Sequence, residues 1–94
     1  MAQTTIHVRN PSGLHARPAA LFVKTAATLP AVVQVTNLSR DPSRSVSARS
    51  LLAVLGLGVS SGHQIQISAE GEGADASVAT LRQLVEDGLG ESVP

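Results

Sequence analysis

Apolar and polar residues alternate along four short stretches of the chain, and this pattern predicts four β-strands. In the first stretch, "TTIHVRN", the alternation runs from Thr5 to Arg9 and places Ile6 and Val8 on one face. The second, "AVVQVTN", is rich in β-branched residues. The third, "SVSA", follows the loop "LSRDPSR" and closes a hairpin with the second. The fourth, "QIQISAE", alternates most cleanly.

Helical spacing of apolar residues predicts a first helix that begins at Ala16 and is stopped by Pro30. Pro18 fits this helix only in the first turn, where its missing N–H is harmless. The predicted buried face is formed by Ala19, Phe22, Val23 and Ala26.

Two further helices are predicted. The stretch "SLLAVLGLGV" favours a short helix, because three leucines stand at helical spacing before two glycines and Ser50 occupies the N-cap position. The last helix follows "GEGADAS", with Asp75 near its start. Its predicted buried stripe consists of Val78, Leu81 and Val85.

The element order is therefore β-α-β-β-α-β-α, and one apolar face per element indicates two layers, a sheet covered on one side by helices. The 94 residues are expected to form a single domain, residues 1–94. Phe22 is the only aromatic residue, so the core must be built from aliphatic side chains. The absence of cysteine excludes disulfides, thiol chemistry and cysteine-based metal sites.

The N-terminus shows no signal-peptide pattern, and the longest apolar stretch falls far short of the roughly 20 residues that span a bilayer. A cytoplasmic protein without membrane insertion is therefore expected. Met1 and the polar tail favour a free-standing protein.

Charge is distributed unevenly although the net charge is zero. Residues 1–64 carry six Lys and Arg against Asp41, which gives +5, and residues 65–94 carry Arg82 against six acidic residues, which gives −5. One interpretation is a solvated surface without further meaning. The other is a positive face for an anionic ligand or an acidic partner. Nucleic acid is disfavoured, because there is one aromatic residue for stacking and no basic cluster.

The segment "NPSGLHARPAA" places His15 between a turn and the start of the first helix. A helix N-terminus has unpaired N–H groups and a partial positive charge, which together hold a phosphoryl group well. Arg17 adds a planar fork that matches phosphate oxygens, and neutral histidine is a nucleophile. No second acid, base or metal ligand lies nearby in sequence, which suits a carrier better than a hydrolase. From these residues alone, a merely structural His15 that caps the helix or fills space stays open.

"GLHARPAALFVK" resembles the active-site segment of HPr, the histidine-containing phosphocarrier family of the bacterial phosphoenolpyruvate-dependent sugar phosphotransferase system. "ARSLLAVLGLGVSSGHQIQISAEGEG" is similar to the family's second conserved segment, and the likeness runs from about residue 4 to residue 88. The resemblance implies an α+β fold, an open-faced β-sandwich with four antiparallel strands in the order 1-4-2-3 under three helices. It also implies that enzyme I phosphorylates His15 on Nδ1 and that Ala16 and Arg17 bind the phosphoryl group. No metal and no cofactor is implied.

The second segment raises two further candidates. Ser50 matches a serine that a regulatory HPr serine kinase/phosphorylase modifies in some lineages, although a plain N-cap explains it equally well. Three large leucines on one short helix exceed what a single buried face can hide, so some are expected to be exposed beside His15. The docking patch for family partners would then comprise Ala20, Leu51, Leu52 and Leu55.

Two departures from the family pattern stand out. The loop at residues 37–45 looks a few residues longer than the usual hairpin, and Ala53 stands where some relatives have lysine. The other two histidines, His7 and His63, are expected to be solvated.

The resemblance implies a monomeric carrier, not an enzyme, that accepts phosphate from enzyme I on His15 and passes it to sugar-specific enzyme IIA domains. Alternatives are a regulatory relative that acts through Ser50, or a carrier for a nitrogen- or dihydroxyacetone-linked branch. A small histidine phosphatase would need a second acid or base near His15, and the sequence offers none.

Overall fold

The predicted order of strands and helices is confirmed in a computed structural model, which describes residues 1–91. The elements are β1 (Ala2–His7), α1 (Ala16–Ala27), β2 (Val33–Asn37), β3 (Ser45–Ser47), α2 (Leu51–Gly56), β4 (Gln64–Ala69) and α3 (Ala74–Glu86).

The four strands form one antiparallel sheet in the order β1-β4-β2-β3, as the resemblance implied. Strand β4 lies between β1 and β2; it pairs with β1 along its whole length and with β2 from Ile65 to Ala69. Ile67 of β4, for example, stands between Thr4 and Val35. The cleanest alternation in the sequence therefore belongs to a central strand, which has one face in the core.

The predicted start of β1 at Thr5 is wrong by three residues, because the strand begins at Ala2. Its ladder with β4 extends down to the pair of Ala2 and Ala69. Strand pairing, not alternation of side chains, sets this boundary, since "AQTT" has no apolar pattern of its own.

The core is aliphatic around a single aromatic ring. Phe22 of α1 is fully buried, with Ala19 and Ala26 on the same face. Helix α3 contributes Val78, Leu81 and Val85, as predicted. In α2 the buried residue is Val54, so the three leucines of that helix are left at or near the surface.

The turn before α1 is fixed to the loop that follows α2. The N–H of Leu14 donates to the carbonyl oxygen of Val59 over 3.0 Å. Gly13 has a φ of +60°, and a Cβ on it would lie 2.3 Å from that same oxygen. Only glycine allows the two backbones to approach this closely. Within residues 1–91, no helix has both the length and the apolar character needed to cross a bilayer.

Candidate functional site

The base of the site is a turn closed by Asn10. Its backbone carbonyl accepts the N–H of Gly13 over 3.1 Å, and its side-chain Nδ2 donates to the Gly13 carbonyl over 2.9 Å. Asn10 is fully buried, so these bonds are shielded from water. Sequence reasoning placed Asn10 in a turn but did not identify its side chain as the group that closes it.

His15 occupies the N-cap position of α1 with extended backbone angles, φ −129° and ψ 162°. Its side chain makes no capping hydrogen bond and is only partly buried. A structural role as helix cap is therefore excluded, and a filling role is weak because the ring is not enclosed. The imidazole is therefore partly exposed at the start of the helix.

Two neighbours of His15 shape the helix start. Ala16 has a φ of +49°, a left-handed conformation that residues with a Cβ seldom adopt. Ala16 and Arg17 are both exposed, and Pro18 after them is buried and has no N–H to offer. The N–H groups available at this helix end are therefore those of Ala16 and Arg17.

Within residues 1–91, the guanidinium of Arg17 has no acidic partner. The ion pair between Arg82 and Glu86 is the only one found in the part of the chain that the structure describes. The fork of Arg17 can therefore bind an external anion without first breaking an internal salt bridge.

Helix α2 shows the N-cap predicted for Ser50. Its Oγ accepts the N–H of Ala53 over 3.3 Å, and the side chain is exposed. Leu52 is 83% exposed and Leu51 is 42% exposed, whereas Leu55 packs partly against the core. The expectation that some of these leucines are exposed is confirmed.

Helices α1 and α2 pack against each other, and Ala20 is exposed on α1. The loop after α2 also holds the turn before His15, through Leu14 and Val59. The proposed docking residues thus lie on the two elements that frame the histidine.

A glutamate that sequence reasoning missed belongs to the same turn. Oε1 of Glu91 accepts from Asn10 Nδ2 over 2.9 Å and from the Ser12 N–H over 3.0 Å, and Oε2 accepts from Ser12 Oγ over 2.8 Å. The Asn10 amide, followed by the two Ser12 groups, holds the pKa of this carboxyl below its usual range. No sequence signal marked Glu91, because its partners lie about 80 residues away.

The prediction that His63 is solvated is confirmed only in part, because the residue is half-buried and one ring nitrogen is bonded within the protein. Its Nδ1 lies 3.1 Å from the Ser60 N–H and 3.1 Å from Asn37 Nδ2. Both neighbours are donors, so this nitrogen accepts and the ring proton lies on Nε2. His63 therefore joins the end of β2 to the start of β4, while His7 is exposed as predicted.

The site contains no metal centre that the structure reveals. Among residues 1–91, no group of three or more His, Cys, Asp or Glu side chains is placed to hold a metal ion.

Comparison with known proteins decides the family. Residues 2–87 match the family model described as "PTS HPr component phosphorylation site". The chain belongs to the HPr family. The phosphocarrier protein HPr of Streptomyces coelicolor is 41% identical over 91 residues, which cover 97% of this chain and 95% of that protein.

Other HPr relatives are much longer than this chain. The multiphosphoryl transfer protein of Haemophilus influenzae is 40% identical over 89 residues, which cover 95% of this chain but only 18% of that protein. This chain thus spans about a fifth of the length of such relatives. Among solved structures, HPr-C-His from Thermoanaerobacter tengcongensis superposes with a TM-score of 0.90 at 38% identity, covering 99% of this chain and 100% of that one.

Proposed function

We propose that this HPr-family chain carries a phosphoryl group of the phosphotransferase system on His15, accepts it from enzyme I and delivers it to enzyme IIA domains. The observation that carries the proposal is the uncapped, partly exposed imidazole at the N-terminus of α1. Arg17, which has no ion-pair partner within residues 1–91, stands two positions further along the same helix.

The transfer step exchanges one bond to phosphorus for another. The lone pair of His15 Nδ1 attacks the phosphorus of a phosphorylated group on enzyme I. An N–P bond forms while the bond between phosphorus and the donor group breaks, and its electron pair stays with the donor. The N–H groups of Ala16 and Arg17 and the Arg17 guanidinium stabilise the charge on the phosphoryl oxygens. Delivery to the acceptor reverses the step and restores the neutral imidazole.

The proposal extends to the organisation of the protein. Residues 1–94 are proposed to form one phosphocarrier domain that acts as a monomer in the cytoplasm and is not itself an enzyme. The near-complete overlap with the S. coelicolor HPr supports a domain of this size. The multiphosphoryl transfer proteins support partners within the same transfer system.

The test is phosphorylation of the purified chain by enzyme I and phosphoenolpyruvate. We expect one phosphoryl group per chain, stable in alkali and labile in acid, as an N–P bond is. His15→Ala should abolish labelling, whereas His7→Ala, which removes an exposed histidine elsewhere, should not change it. Undiminished labelling of the His15→Ala variant, or labelling that moves to His7 or His63, contradicts the proposal.

A second role is proposed for Ser50. Its hydroxyl is exposed at the N-cap of α2, where a phosphate would meet free N–H groups. An HPr serine kinase/phosphorylase with ATP should then label the chain in an acid-stable form. Labelling that persists in Ser50→Ala excludes this site.

A further inference from the structure

The chain after α3 folds back onto the domain. The N–H of Leu89 donates to the Leu84 carbonyl over 3.1 Å, and the Leu89 side chain is 2% exposed. Leu89 has a φ of +52°, a conformation that a leucine keeps only where its surroundings require it. Residues 88–91 are therefore a packed segment, and they end at the turn that precedes His15.

Glu91 holds three donors of that turn at once. Ser12 gives both its backbone N–H and its hydroxyl, and Asn10 gives one of its amide hydrogens. The same Asn10 amide also binds the Gly13 carbonyl. One carboxylate thus connects the end of the described chain to two residues, Asn10 and Ser12, of the turn that leads to Leu14 and His15.

The strained start of α1 shows why this connection matters. A left-handed Ala16 persists only where the surrounding structure over-determines it. On one side the segment is fixed by Val59, which binds Leu14. On the other side the fixed points are the bonds of Asn10 and Ser12, and Glu91 takes part in three of them.

We propose that Glu91 is a positioning residue for phosphoryl transfer: acting through Asn10 and Ser12, it holds the turn that presents His15 to its partners. The inference rests on the proposed function of His15. Glu91 does not bind the phosphoryl group in this scheme. Its side-chain hydrogen bonds reach neither α2 nor Arg17 within residues 1–91, so we expect its removal to preserve docking while the reacting nitrogen becomes less well oriented.

The experiment compares Glu91→Ala with wild type and with Glu72→Ala, which removes the same charged side chain from an exposed position before α3. Phosphorylation by enzyme I is followed while the concentration of the chain is varied. We expect Glu91→Ala to lower kcat roughly tenfold with KM within about twofold of wild type, because orientation is lost and docking is not. Glu72→Ala should match wild type in both constants.

Two further measurements separate positioning from general stability. Hydrogen exchange at the Ser12 amide should accelerate in Glu91→Ala and not in Glu72→Ala. Glu91→Gln keeps the length of the side chain and one carbonyl acceptor, so its kcat should fall between those of wild type and Glu91→Ala. If Glu91→Ala does not fold at the assay temperature, the kcat and KM of Glu91→Gln test the proposal instead.

Three results would overturn the proposal. The first is a wild-type kcat in a Glu91→Ala variant whose Ser12 amide is released, since the contact would then serve stability alone. The second is a change confined to KM, which would place Glu91 in docking. The third is failure of the wild-type chain to accept phosphate from enzyme I, which refutes the proposed function itself and with it the positioning role.

Discussion

Ala16 has a backbone conformation that does not fit a regular α-helix, although it is the first residue of α1. Its left-handed backbone lies at the first position of α1, directly after His15. Such a conformation costs an L-residue about 1–2 kcal/mol. The strain is therefore large enough to measure by substitution.

Ala16→Gly removes the backbone strain, because glycine adopts the left-handed conformation readily. Glycine also costs about 0.5–1 kcal/mol, because it makes the unfolded chain more flexible. The free energy of unfolding should therefore stay equal or rise by up to about 1.5 kcal/mol. Urea denaturation measures it. Ala20→Gly, at an exposed position within the same helix, should instead lose about 1 kcal/mol. Equal losses in the two variants would show that Ala16 is not left-handed in solution.

Arg17 should act through its planar fork and not through charge alone. Arg17→Lys keeps the charge but loses the paired N–H donors, so transfer should slow about tenfold, the value of roughly one charge-assisted hydrogen bond. The melting temperature should not change, since the side chain is exposed and has no ion pair within residues 1–91. Arg9→Lys is the matched control and should transfer at the wild-type rate. If Arg17→Lys also does so, Arg17 does not clamp the phosphoryl group.

Sequence alone located His15 and Arg17 as candidates because a short motif holds them together with the helix start. It could not locate Glu91 or the role of His63, because each acts through partners that only folding brings near. Local spacing carries information about nearby residues, and a single glutamate in an acidic segment carries none about a turn 79 residues away. The sequence therefore identified His15 and Arg17 as candidates, and it did not identify the residues that hold the turn before them.

Helix α2 combines a marginally stable fold with an exposed apolar surface. It is a six-residue helix with a single buried residue, Val54, and it starts at a serine cap. Isolated helices of this length are not stable, so packing of Val54 and the cap must maintain it. Leu52 is 83% exposed and Leu51 is 42% exposed, so both present apolar surface to a partner.

Ser50→Asp should separate the stability of α2 from its availability to a partner. An aspartate is a good N-cap, and its charge suits a helix N-terminus, so the melting temperature should not fall. The charge would also lie beside the exposed leucines and repel acidic partners, so phosphate transfer from enzyme I should become much slower. Ser50→Ala should show the opposite pattern, losing about 1 kcal/mol of stability while transferring normally. Wild-type transfer by Ser50→Asp would reduce Ser50 to a helix cap.

Element types and order were predictable because each element has one apolar face with its own period. The boundaries were less so. The start of β1 depends on pairing with β4, and β2 begins at Val33, two residues after the first apolar position of "AVVQVTN". In α2, leucines identified the helix although Val54 is the residue that anchors it. The period of apolar residues predicts that an element has a buried face, and tertiary packing determines which residues form that face.

At the scale of the whole molecule, charge is the property most relevant to partners. The six Lys and Arg among residues 1–64 are all exposed, and none forms an ion pair within the described chain. We expect kcat/KM for phosphorylation by enzyme I to fall as salt rises from 50 to 500 mM, through KM and not kcat, because screening weakens attraction to an acidic partner. Single-turnover rates at saturating chain concentration provide the control. An unchanged KM would show that the charge asymmetry plays no part in docking.

Stability should depend on pH through Glu91. Its pKa is lowered in the folded state, first by Asn10 and then by Ser12, so its contribution is fully present above the ordinary glutamate pKa of about 4.3 and is lost as pH falls through the lowered value. Urea midpoints measured from pH 7 to pH 3 should therefore fall less in Glu91→Gln than in wild type. Asp41, whose pKa is lowered by Ser43, contributes equally to both chains. Equal pH dependence of the urea midpoints in the two chains would mean that the Glu91 carboxylate does not stabilise the fold through its bonds to the turn.

The strand order also determines how long β1 stays unpaired during synthesis on the ribosome. β1 ends at residue 7, and its neighbour β4 begins at residue 64, so at about 5–20 residues per second the first strand waits about 3–11 s for a partner. Until then only the short β2–β3 hairpin can pair. An unpaired strand is a template for association with other chains. "AQTTIH" holds one large apolar side chain, Ile6, so we expect the unpaired strand to have little tendency to associate with other nascent chains.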